Sequence, residues 1–144
     1  LELQSAILYE QIRKIIWFSA VRKQNYKILY EYFKTIPYFK TWKIDDEVSP
    51  FSFPLLINND SPFTRKHFID HLTRNKIECR VLFGGNLIKH PAYQSKKQYW
   101  ESIGKHTNAD NILNNFLMLG VSQILKKNDI DKIIEVTDKF LKQW

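Results

Sequence analysis

Residues 49–75, SPFSFPLLINNDSPFTRKHFIDHLTRN, change structural period partway along. The first nine are rich in aromatic and branched side chains, which suits a pleated strand. Pro50 and Pro54 lack the N–H that a central ladder uses, so this strand is expected at a sheet edge or with a bulge. NNDSP then reads as a turn. Ser61 is the expected N-cap and Pro62 the first residue of a helix over 62–75, with Phe68, Ile69 and Leu72 on its apolar side. A strand that hands over to an amphipathic helix points to a mixed fold, and the flanking segments repeat the alternation.

Upstream, FKTWKI (39–44) is expected as a strand. Asp45, Asp46 and Glu47 follow; three acids in a row can serve a metal or acid–base site, but such a run ordinarily forms a solvated turn. Residues 1–36 read as one long helix, uninterrupted by Pro or Gly until Pro37. Its second half carries one stripe: Tyr26, Leu29, Tyr30, Phe33 and Ile36. Its first half is apolar on several sides, with Leu3, Ile7, Trp17 and Val21 on one, Leu8, Ile12 and Ile15 on another, and Tyr9, Ile16 and Ala20 on a third. Such a helix expects cover on most sides, from its own core, a dimer partner or a segment that precedes it. The chain starts without Met and without an N-cap signal, which favours the preceding segment.

Downstream, IECRVLF (77–83) is a third strand, and GGNLIKHPAYQSKKQYW a long, mostly irregular loop. TNAD (107–110) begins a short helix with Thr107 or Asn108 as cap. FLMLGV (116–121) is a fourth strand or an extended segment. Asn128 caps a last helix with the stripe Ile130, Ile133, Ile134, Thr137, Phe140 and Leu141. The order implies one α+β domain, a small sandwich of helices on a mainly antiparallel sheet.

With 144 residues, 44% hydrophobic and 26% charged, the chain is long enough for a single core and unlike a disordered one. No stretch approaches a membrane span, and no secretory leader is visible. Cys79 is the single cysteine, which excludes an internal disulfide and a Cys-rich metal or iron–sulfur site and fits a reducing, cytoplasmic setting. The net charge of +7 admits nucleic acid as a partner. Lysines outnumber arginines and are spread along the chain, which fits a solvated basic surface better than a base-reading cluster. No nucleic acid and no membrane are expected. His67 and His71, four apart on one helix, have a spacing that can grip zinc; without an evident third ligand they fit a solvated helix edge.

CRVLFGGNLIKHP (79–91) stands apart from core and surface alike. The chain has four glycines and places two of them together here. Adjacent glycines permit positive φ and close approach, and successive N–H groups in such a turn can form an anion-binding nest. Asn86 adds a donor and an acceptor; Arg80 adds a fork suited to phosphate or carboxylate. The segment reads as a ligand-facing loop, or as a tight turn with an ion-paired arginine.

Five stretches resemble the DegT/StrS-type sugar aminotransferase family. LELQSAILYEQIRKIIWFSAVRKQNYKIL resembles the helix after the cofactor site, and SPFSFPLLI its next strand, Ser-x-Phe-x-Phe-Pro. CRVLFGGNLIKHPAY resembles the Thr-Arg-x-Leu-Phe-Ala-Gly-Asn-Leu-x-x-Gln-Pro motif of the nucleotide-sugar 3-dehydratase branch. TNADNILNNFLMLGV and NDIDKIIEVTDKFLKQ resemble that branch's closing segments. Cys79, Gly84 and His90 depart from the pattern, where it has Thr, Ala and Gln. Arg80, Phe83, Gly85, Asn86, Pro91, Asn108 and Asp110 match it.

The resemblance implies the C-terminal small domain of a fold-type I pyridoxal-phosphate enzyme, spanning 1–144. Helix 1–36 would pack on a large N-terminal domain outside this sequence, and 37–144 would form the α+β unit. The whole enzyme, a homodimer, would use pyridoxal phosphate or pyridoxamine phosphate on a nucleotide-linked 4-keto-6-deoxyhexose in surface polysaccharide synthesis. Substrate-binding residues here would be Arg80 and Asn86 as polar contacts, Phe83 as an apolar wall, Gly85 for close approach, and His90. Asn108 and Asp110 fit helix capping equally well. The catalytic Lys or His would lie outside this chain, so this segment alone would bind no cofactor and catalyse nothing. The alternative is a stand-alone binding or dimerisation domain; a nucleic-acid-binding module is a weaker one.

Overall fold

The computed structural model describes residues 2–144. In chain order the elements are α1 (Glu2–Ile12), α2 (Ile15–Phe33), β1 (Phe39–Lys40), β2 (Ser52–Ile57), α3 (Arg65–Arg74), β3 (Cys79–Arg80), α4 (Pro91–Gln94), α5 (Thr107–Asn115), β4 (Phe116–Gly120) and α6 (Lys127–Leu141). The strands form one sheet in the order β1-β2-β4-β3, antiparallel throughout. The expected α+β class holds.

β2 alternates strictly. Phe53, Leu55 and Ile57 are buried, and with Leu117 and Leu119 of β4 they face a core made by α2 (Tyr26, Leu29, Phe33), α3 (Phe68, Leu72) and α6 (Ile130, Ile133, Val136, Phe140). Aromatic rings knit it together: Phe33 meets Phe39 edge-on at 5.2 Å and Phe63 meets Phe140 at 4.8 Å. The opposite face of the sheet carries Ser52, Pro54, Met118 and Arg80; Pro54 and Arg80 both pair across to Met118, and Ser52 Oγ donates to Met118 Sδ at 3.2 Å.

Several boundaries differ from the sequence reading. The single helix over 1–36 is two, separated at Arg13–Lys14, where Lys14 N turns to Gln11 O at 3.0 Å. No residue of α1 is buried, so no packing holds that end in line with α2. α3 starts at Arg65: Thr64 is its N-cap, accepting from His67 N while His67 Nδ1 accepts from Thr64 N. Ser61, the expected cap, donates instead to Tyr38 O at 3.1 Å. α6 begins one residue before Asn128, with Asp129 Oδ2 accepting Lys126 N at 2.8 Å. β1 and β3 are two residues each, shorter than expected. The 84–100 loop contains α4 and two 3-10 turns.

Pro54 lies within β2, which has neighbours on both sides. β1 pairs only with Leu56 and Ile57, so it stops short of Pro54. Thr41 Oγ1 donates to Pro54 O at 3.2 Å from that side. The proline's missing N–H therefore falls where no ladder runs, a local edge inside a central strand.

Candidate functional site

The segment from Cys79 to His90 leaves the sheet edge and folds into a turn against α5. Arg80 sits on β3, the outermost strand, on the face away from the core. Its guanidinium pairs with the Glu78 carboxylate; the Arg80 side chain is 78% exposed. An exposed pair of this kind contributes little and exchanges readily for another anion. Arg80 also lines an open cavity of about 510 Å³ with Ser52, Cys79, Met118 and Gly120. Burial, with Glu78 beside it, pushes the Cys79 thiol up, away from the thiolate a nucleophile needs.

Phe83 follows at φ 42°, unusual for a residue with a side chain, and its ring is 88% exposed. Gly85 has φ 58°, and a Cβ there would lie 2.8 Å from Leu113 Cα, so both its dihedral and its contact require glycine. Gly84 is different: a Cβ there would meet the end of the Leu87 side chain, which can turn aside.

Asn86 is buried, and its Nδ2 donates to Asp110 Oδ1 at 2.7 Å. Lys89 Nζ reaches the same oxygen at 2.7 Å. The Lys89 hydrogen bond first, and the Asn86 one second, hold the Asp110 carboxyl below the usual carboxylate range. His90 Nε2 donates to Gly84 O at 2.5 Å, which places the ring proton on that nitrogen. Of the five expected binding residues, Arg80 and Phe83 thus present open side chains. Gly85, Asn86 and His90 bond or pack within the turn.

By its sequence position Asp110 is a possible cap for α5. Its carboxylate bonds Asn86 and Lys89 instead, and His106 occupies the cap position. The signal available in the sequence was the joint match of Asn86 and Asp110 to one pattern, in separate motifs.

Asp45 to Glu47 lie in an exposed turn, where Lys23 Nζ donates to Asp46 O. His67 stacks on Trp144, rings 5.7 Å apart, and His71 Nε2 contacts Val136 O at 3.0 Å. His106 Nε2 is 2.8 Å from Ser102 Oγ. No lysine or histidine is buried among the described residues, and every histidine already has a partner. No helix among the described residues is long and apolar enough to cross a membrane.

Comparison with known proteins follows the same lines. The GDP-4-keto-6-deoxy-D-mannose 3-dehydratase of Escherichia coli O55:H7 is 33% identical over 139 residues, 94% of this chain and 35% of that protein. The lipopolysaccharide biosynthesis protein RfbH of Salmonella typhimurium is 27% identical over 142 residues, 96% of this chain and 32% of that one. The solved E. coli GDP-4-keto-6-deoxy-D-mannose-3-dehydratase with bound hydrated PLP superposes with a TM-score of 0.77 at 31% identity, over 89% of this chain and 33% of that one. The chain spans about a third of the length of these relatives. The DegT/DnrJ/EryC1/StrS aminotransferase family model matches residues 1–137, and the chain belongs to that family.

Proposed function

We propose that this chain is the C-terminal part of a pyridoxal-phosphate-dependent nucleotide-sugar 3-dehydratase or aminotransferase. Its substrate would be a nucleotide-linked 4-keto-6-deoxyhexose used in surface polysaccharide synthesis, and its 80–90 turn would line the cleft for that sugar. The observation that carries this reading is the 33% identity, over 94% of the chain, to a GDP-4-keto-6-deoxy-D-mannose 3-dehydratase. The cofactor would be held by the remainder of the polypeptide, which would also supply the base.

Local geometry supports a role for each residue of the turn. Arg80 exchanges Glu78 for a substrate phosphate, which its planar fork suits. Phe83 offers an apolar wall, and Gly85 brings the turn close to α5. Asn86 and His90 shape the turn from within. α1 and the start of α2, where Leu3, Ile7, Ile16 and Trp17 are exposed, would lie against the large domain.

The test is to purify the whole protein as its gene encodes it, reconstitute it with pyridoxal phosphate or pyridoxamine phosphate, and follow GDP-, dTDP-, CDP- and UDP-linked 4-keto-6-deoxyhexoses by mass spectrometry. Loss of water at C3 or gain of an amino group is expected with one of them. A protein that binds no cofactor and transforms none of the panel is outside this class.

The exposed apolar side chains of α1 and the start of α2 also favour a second reading, a stand-alone dimerisation domain. A chain that is dimeric by light scattering and becomes monomeric when Trp17 and Val21 are made polar supports that reading. A monomer at high micromolar concentration removes it.

A further inference from the structure

One oxygen, Asp110 Oδ1, receives both Asn86 Nδ2 and Lys89 Nζ at 2.7 Å. We propose that Asp110 is the positioning residue of the 83–90 turn: from α5 it fixes Asn86 and Lys89, and through them the direction of Phe83. The inference rests on the reading that this turn faces a nucleotide sugar.

Four observations converge on it. Asn86 is 4% exposed with its amide turned inward, so it serves the site through Asp110 and not by touching a ligand. Leu113, against which Gly85 is jammed, lies three residues after Asp110 on the same helix, so one face of α5 is the template for the turn. His90 closes the other side by donating to Gly84 O. Phe83 holds φ 42° with its ring in the open, so contacts of that ring do not hold the backbone there. A backbone in so sparse a region persists only where its surroundings over-determine it. Gly85 N donates to Leu82 O at 3.1 Å across Phe83, and the two bonds that end on Asp110 anchor Asn86 and Lys89 shortly after it.

Charge separates positioning from plain electrostatics. Removing a carboxylate near an anionic nucleotide sugar should tighten binding if charge alone matters. Loss of a positioning residue loosens it.

The experiment uses the full-length protein with Asp110→Ala, Asp110→Asn, Asn86→Ala and the Asp110→Ala/Asn86→Ala double variant. Asp110→Asn keeps an acceptor for Asn86 and loses the ion pair with Lys89, so it tests the idea if the alanine variant folds poorly. Hydrogen exchange of 83–90 is expected to speed up about tenfold in Asp110→Ala and less in Asp110→Asn. Exchange of 107–115 stays within about twofold, and the double variant adds little to either single one. Affinity for GDP-4-keto-6-deoxy-D-mannose, the probe, falls about tenfold in Asp110→Ala.

Unchanged exchange at 83–90 overturns the proposal. Equal loss of protection in α5 overturns it too, since that marks a helix cap. Tighter binding in Asp110→Ala overturns it in favour of charge alone. Faster exchange at 83–90 in a protein that binds no nucleotide sugar upholds the positioning role and overturns the substrate reading.

Discussion

Gly84 and Gly85 are neighbours with opposite tolerances. Gly85→Ala would put a Cβ 2.8 Å from Leu113 Cα at φ 58°, so it is expected to destabilise by more than ~1 kcal/mol in chemical denaturation. Gly84→Ala crowds the tip of Leu87, with the His90 ring at ordinary contact distance, and is expected to stay within ~0.5 kcal/mol of the parent. Phe83→Gly relieves a left-handed φ in a residue with no buried contact, and should raise stability by up to ~1 kcal/mol while weakening nucleotide-sugar binding. The Asp110 carboxyl titrates lower in the folded state than in the unfolded one, through Lys89 and then Asn86. Its contribution to stability is therefore present above the unfolded carboxylate range and lost as pH falls through the folded value. Stability curves of the parent and Asp110→Asn should differ at neutral pH and converge in acid. At this scale the sequence showed which residues were unusual, but hydrogen-bond partners were hidden. Asn86 and Asp110 are 24 residues apart, and only the tertiary fold brings them together.

Among the elements, α3 shows how close a competing signal can stand. Ser61-Pro62 has the composition of a helix start, yet Ser61 is drawn to Tyr38 O and the chain waits until Thr64. Thr64→Ala should cost about 1 kcal/mol, whereas Ser61→Ala should leave α3 helicity unchanged by circular dichroism. Long, strongly periodic elements were legible: β2, β4, the second half of α2, and α6 all appear near their expected places. β1 and β3 were overestimated, because an apolar run shows where a strand is possible and not how far its neighbour extends. The break at Arg13–Lys14 had no signal in Pro or Gly; it follows a helix of which no residue is buried among the described residues.

For the molecule as a whole, core and apolar surface are separate. The core lies between the sheet and α2, α3 and α6, while Leu3, Ile7, Leu8, Ile12, Ile16 and Trp17 stand outside it. Changing Ile7, Ile16 and Trp17 to Gln should leave the denaturation midpoint of this unit within ~0.5 kcal/mol of the parent. On the proposed reading, the same changes in the full-length protein should loosen a junction with a preceding domain, read as faster proteolysis near residues 12–16. The apolar excess of the first seventeen residues was legible from spacing alone, and the family motifs in 49–57 and 79–91 located the turn. What covers that excess lies beyond the reach of periodicity, which reports a face and never its occupant.

The proline in β2 has a consequence for behaviour in concentrated solution. β1 leaves one side of Pro54 unpaired, and an unpaired stretch of β backbone is where a strand from another molecule would join. A joining strand would find a carbonyl already taken by Thr41 and a nitrogen with no hydrogen to give. The sheet's central gap is thereby closed to growth, and the exchange Pro54→Val would open it. Faster fibril formation on agitation, with little change in monomer stability, is the signature to look for.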